Sequence, residues 1–217
     1  MVLCLNSKLR DTLIKLCLNK YLPVFNSINR RYKYYQNNYN SKIEDLVNIQ
    51  IMAEQQAGQE YLNMAVTFLH PSKSQMGVGG FFMKMYEEEL HHMQKLINYQ
   101  LLRGGMPLIC GLQPPNQNKD LTLLEAFKQG LCMEKNITEV SNFYTGLQKG
   151  VTLAEDVKDY HYADFITSVF ITEQMHSIHE MATHITKLSA LSHDNHALYL
   201  YDLELEKMYP LPQKIKS

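Results

Sequence analysis

Apolar residues recur at alternating steps of three and four over long stretches of the chain, the mark of helices that bury one face. Over 41–69 the stripe is Val47, Ile51, Glu54, Gly58, Tyr61, Ala65 and Phe68. Over 80–103 it is Phe82, Met85, Glu89, His92, Leu96 and Tyr99. Over 121–147 it is Leu124, Phe127, Leu131, Glu134, Ile137, Val140 and Tyr144. A fourth run covers 155–188 and a short fifth covers 194–208. Breakers fall between the runs: Pro71 with Gly77, Gly79 and Gly80, then Gly104 to Pro115, then Gly146 and Gly150, and finally Pro210 and Pro212. Ser41 with Glu44, Thr122 with Glu125 and Thr152 with Glu155 form capping boxes that mark helix starts.

Four helices of about 25 residues or more far exceed the usual ~11–12 and need partners along their length. They predict an all-α four-helix bundle. The first connection is short, so its helices are antiparallel neighbours. The second is Pro-rich and about 16 residues long, and it reaches about 50 Å when extended. That spans a bundle end to end, so the second and third helices are expected to run parallel.

Each of the first three stripes is interrupted near its middle by acid: Glu54, then Glu89 with His92 three residues on, then Glu134. A buried ionised carboxylate costs several kcal/mol unless it is paired or coordinated. Three such groups, with one imidazole and few inward Lys or Arg, cannot neutralise one another. A cation must. Oxygen-rich donors with imidazole on facing helices suit iron or manganese better than zinc, and Glu-x-x-His on a bundle helix is a known di-iron arrangement. The fourth run offers two faces. Glu173 and His176 form a second Glu-x-x-His, but their stripe (Val169, Glu173, His176, Glu180) is largely charged. Phe170, Gln174, Ser177 and Met181 make the better core face, which puts Gln174 and Ser177 inward and Glu173 at the edge.

A net charge of −1 argues against general affinity for nucleic acid or acidic lipid. No apolar run approaches the ~20 residues that cross a bilayer. The four cysteines (Cys4, Cys17, Cys110, Cys132) show no CxxC pairing, which predicts free thiols in a reducing compartment. Residues 1–36 form a basic extension whose leucines Leu9, Leu13 and Leu16 fall at helical spacing. It reads as a mitochondrial presequence or as a disordered tail. The expected location is cytoplasmic, or mitochondrial if the extension targets.

Five segments carry a family resemblance: NIQIMAEQQAGQEYLNMA (48–65), EEELHHMQKLINYQLLRGG (87–105), LEAFKQGLCMEKN (124–136), DFITSVFITEQ (164–174) and YLYDLE (199–204). They resemble ferritin, in its heavy-chain, ferroxidase-competent form. The resemblance implies that 37–217 is a ferritin-like di-iron domain, with a long crossover between its second and third helices and a short fifth C-terminal helix. It implies iron storage and detoxification, with Fe(II) oxidised by dioxygen at two iron sites per subunit and ferric oxyhydroxide deposited in a cage. The alternative is a non-catalytic structural subunit. By resemblance Glu54, Glu89 and His92 hold the first iron, and Glu134 with Glu89 holds the second. Gln174 supports the dioxygen chemistry, Glu88 is an accessory iron ligand, and Tyr61 stands beside the centre. Asp164 lines an entry channel, where Thr167 replaces a second acid. Lys84, His91 and Gln94 stand where mineral-nucleating acids are expected. The implied assembly is a shell of twenty-four subunits, of this chain alone or with other ferritin subunits.

Overall fold

The computed structural model describes residues 39–115, 120–138, 147–191 and 194–211. The extension 1–36 and the stripe positions Val140 and Tyr144 lie outside the described residues, as do Gly146 and Pro212. The described elements are all helical: α1 Ser41–Leu69, α2 Met76–Leu102, α3 Leu123–Thr138, α4 Leu147–Asp156, α5 Tyr160–Phe165 and, after a π-helical turn over Ile166–Ile171, α6 Thr172–Leu191 and α7 Asn195–Met208. No described helix is long and apolar enough to cross a membrane.

Ring contacts fix the helix directions. Phe68, late in α1, stacks on Phe82, early in α2, at 5.8 Å, so α1 and α2 are antiparallel. Phe81 and Phe127, each in the first turns of its helix, meet at 5.0 Å, so α2 and α3 run the same way. His184, late in α6, lies 4.9 Å from Phe127 and returns antiparallel to α3. This is the expected bundle.

The crossover is tied down along α1 by side chains that treat its peptides as β partners. Asn48 Oδ1 accepts from Leu108 N at 2.9 Å while its Nδ2 donates to Met106 O at 3.2 Å. Gln56 repeats the device on Gln113, at 3.0 and 3.2 Å. Glu44, buried, accepts from Met106 N at 2.9 Å. The crossover starts where α2 ends in a Schellman motif: Gly104, at φ 77°, donates to Leu101 O and Gly105 donates to Gln100 O.

Several helix-boundary expectations are corrected. Glu44 is consumed by the crossover, so α1 is capped by Asn40, whose side chain accepts from Lys42 N. The Thr122–Glu125 box forms as expected. Thr152 and Glu155 lie inside α4, and so does Gly150. The fourth rod therefore starts later, at Tyr160, where Asp159 caps Tyr162 N after a left-handed corner at Lys158 (φ 58°). Asp159 also takes a bidentate pair from Arg103 at 2.8 and 2.9 Å, a tertiary contact that outranks the local box. Cys110 and Cys132 are each disulfide-bonded, and no described cysteine is free. For Cys110 and Cys132 the free-thiol expectation fails, because sequence spacing carries no information on through-space approach; Cys4 and Cys17 lie outside the described residues.

Helix α2 has no side-chain cap of its own. Asp202 of α7 supplies one, its Oδ1 accepting from Val78 N at 2.8 Å with further bonds from Gly77 and Met76. The close approach requires Gly77, since a Cβ there would meet Asp202 O at 1.9 Å. Replacing Asp202 with Ala removes an anionic cap from a helix N-terminus. The expected loss is about 1 kcal/mol, read as a lowered thermal unfolding midpoint; an unchanged midpoint would show that the cap contributes nothing.

Candidate metal centre

Two apolar clusters fill the bundle. One holds Tyr61, Phe68, Phe81, Phe82, Phe127, Met181 and Leu188; the other holds Ile43, Val47, Ile51, Leu96, Tyr99, Ile137 and Phe170. The acid interruptions fall between them. Every residue of the α1 stripe is buried, as are all those of α2 except His92, which is partly so. The same periodicity that hides the aliphatic side chains therefore carries Glu54, Glu89 and Glu134 inward, to 1%, 2% and 1% exposure.

Glu54 Oε1 accepts from Gln50 Nε2, one turn earlier, at 2.6 Å. Glu54 Oε2, Glu89 Oε2 and His92 Nδ1 are buried and have no hydrogen-bond partner. One ligand atom from each of these three residues lies within 4.8 Å of the other two. His92 Nδ1 is 3.5 Å from Glu89 Oε2, too far for a firm hydrogen bond. Glu134 faces the cluster from α3 with both oxygens engaged: Tyr61 donates its hydroxyl to Oε1, and Gln174 its amide to Oε2. Gln174 is buried, and its amide also reaches Glu134 O at 3.2 Å.

Burial pushes the Glu54 carboxyl well above the usual glutamate range, and the charge of Glu89 adds to the rise. Glu89 is raised by burial and then by Glu134. Burial raises Glu134 too, against the opposing hydrogen bond from Tyr61. The Tyr61 hydroxyl is itself pushed far up by burial and by Glu134, so it remains a donor. Neither Glu54 nor Glu89 is ion-paired with Lys or Arg among the described residues. Each orphaned buried polar atom in a native interior calls for an explanation, and two carboxylate oxygens with one imidazole nitrogen suit a multivalent cation of the iron or manganese type.

The remaining candidates stand apart. Glu88 is half-exposed and paired with Lys84 at 3.0 Å. Asp164 is exposed on α5, and Ser177 is partly buried. His176 is exposed, and Glu173, at the rim as expected, reaches the outer nitrogen of His92 at 3.0 Å. Sequence reasoning missed two supports, Gln50 and this Glu173 contact. The first was visible as an amide four residues before Glu54 on the same helical face. The second depends on how α6 packs beside α2 and has no local signal.

A family model for the ferritin-like domain matches residues 44–191. The chain belongs to the ferritin family. The soma ferritin of Lymnaea stagnalis is 32% identical over 167 residues, covering 77% of this chain and 92% of its own length. The middle subunit of Salmo salar ferritin is 31% identical over 167 residues, covering 76% and 92%. The ferritin light chain of Felis catus is 30% identical over 155 residues, covering 71% and 85%. Iron storage is the general role of ferritins. Relatives named as light and as middle subunits match about equally well, so the subunit type must be argued from the side chains.

Raised carboxyls destabilise the metal-free ferritin fold at high pH. A group whose folded pKa lies above its unfolded value contributes stability that is fully present below the ordinary glutamate range and lost as pH climbs through the raised values. The metal-free protein is therefore expected to melt at falling temperature from about pH 5 towards pH 8, and Glu54→Gln is expected to flatten the slope. A melting temperature that rises across this range would contradict the burial of these acids.

Proposed function

We propose that the chain is a ferroxidase-competent ferritin subunit, oxidising Fe(II) as its substrate and storing the product. The reading rests on Glu54, Glu89 and His92, each with a buried atom that has no hydrogen-bond partner and each offering a ligand atom within 4.8 Å of the other two in the bundle interior. Glu54, Glu89 and His92 bind one Fe(II); Glu134, with Glu89 shared, binds a second. Each ion gives up one electron, and the pair reduces one dioxygen to hydrogen peroxide with uptake of two protons.

The chain's own groups perform three tasks. Anionic carboxylates stabilise Fe(III) more than Fe(II), which favours oxidation electrostatically. The protons that burial keeps on the free carboxyls leave when a cation binds, as ligand deprotonation requires. Tyr61 and Gln174 hold Glu134 at a fixed orientation, the kind of outer support that tunes ligating carboxylates. Tyr61, Gln174 and Glu134 thus form the side of the centre that meets dioxygen, with Glu88 as an accessory iron ligand and Asp164 at an entry channel. The subunits close into a twenty-four-membered shell around the mineral.

A non-catalytic structural subunit is the second reading, favoured by the Lys84–Glu88 pair, which neutralises one of the few acids near expected mineral-nucleating positions. One assay separates the two. Purified metal-free protein is mixed with Fe(II) in air and ferric absorbance is followed, with Glu89→Ala and His92→Ala alongside, after the particle has been sized. Wild type is expected to oxidise iron about tenfold faster or more than either variant. Equal rates in all three proteins would leave only the structural reading.

A further inference from the structure

The two nitrogens of His92 have different surroundings. Nδ1 is buried and unpartnered at the cluster. Nε2 faces outward, 3.0 Å from Glu173 Oε2. Glu173 is gripped in turn by Lys95, whose ammonium donates to its two oxygens at 3.0 and 3.1 Å. Phe170 lies against the imidazole at a centroid distance of 5.5 Å. Phe170 belongs to the π-helical turn and Glu173 follows it by three residues, so one segment supplies both the ring contact and the carboxylate.

A neutral imidazole offers one N–H and one lone pair, and an ionised carboxylate only accepts. Lys95 donates to both Glu173 oxygens, so the carboxylate acts as an acceptor on each of them. The proton shared with Glu173 therefore belongs to Nε2, and the lone pair lies on Nδ1, facing Glu54 and Glu89. We propose that Glu173, anchored by Lys95, is a positioning residue that fixes His92 in the Nε2–H tautomer and aims Nδ1 at the cation. The inference rests on reading Glu54, Glu89 and His92 as ligands. It gives the Glu173-x-x-His176 motif a different use from ligation: Glu173 acts on the cation through His92, and His176 takes no part.

Glu173 is 47% exposed and Lys95 24%, and ion pairs so wetted add little to stability. Loss of the pair should therefore change cation binding and leave the fold alone. The test is anaerobic titration of the metal-free full chain with Co(II), followed by visible absorption, with thermal unfolding run in parallel. Glu173→Gln keeps the size but can present an N–H to Nε2, releasing the tautomer. It is expected to weaken Co(II) binding about 10–100-fold with no change in unfolding temperature. Glu173→Asp should recover part of the affinity, and Lys95→Met should fall between Gln and wild type. If Glu173→Gln binds Co(II) within about twofold of wild type while His92→Ala loses binding, the positioning role is wrong and the cation site stands. If His92→Ala binds as well as wild type, the ligand reading itself is wrong, and this inference goes with it.

Discussion

The interior of this bundle is organised around a charge that protein alone leaves uncompensated. Three carboxyls from three helices sit between two apolar clusters, and one imidazole cannot balance them. In such surroundings an ionised acid must find a cation, take up a proton or destabilise the fold. Burial drives the carboxyls of Glu54, Glu89 and Glu134 upward, in the direction of the second course. A bound multivalent cation supplies the first. The site is thus a place where folding energy is withheld until the ligand arrives.

The rest of the architecture keeps those acids opposed. Parallel α2 and α3 need a crossover that travels the bundle, and a chain that long would be loose unless anchored. Asn48 and Gln56 anchor it by pairing with its peptides, a use of side-chain amides that also satisfies backbone groups. Arg103 closes the far end through its bidentate contact with Asp159, stacked over Tyr39 at 4.6 Å. At the other end Asp202 caps α2 from α7. These contacts set the axial register of the helices, and with it the height at which Glu54, Glu89 and Glu134 meet.

Much of this was legible in the chain itself. A period of three to four identifies each buried face without reference to neighbours, so Glu54, Glu89, Glu134 and Gln174 could be assigned inward from their own helices. Directions followed from connection lengths. What could not be read were contacts decided by packing between helices. The capping boxes at Ser41 and Thr152 are sound local signals, but Glu44 is drawn to the crossover and Thr152 lies within α4. The π-helical turn and the hold of Glu173 on His92 depend on how α6 lies beside α2. The disulfides of Cys110 and Cys132 likewise have no trace in residue spacing.

The resulting picture has the chemistry concentrated in residues that burial would otherwise penalise, with outer groups deciding how each one points. Its central claim is that iron sits among those side chains. An iron-edge anomalous difference map from crystals loaded with Fe(II) under anaerobic conditions tests it most directly. The account predicts one peak in contact with Glu54, Glu89 and His92 and a second beside Glu134. Peaks confined to the surface, with none between the helices, would contradict it.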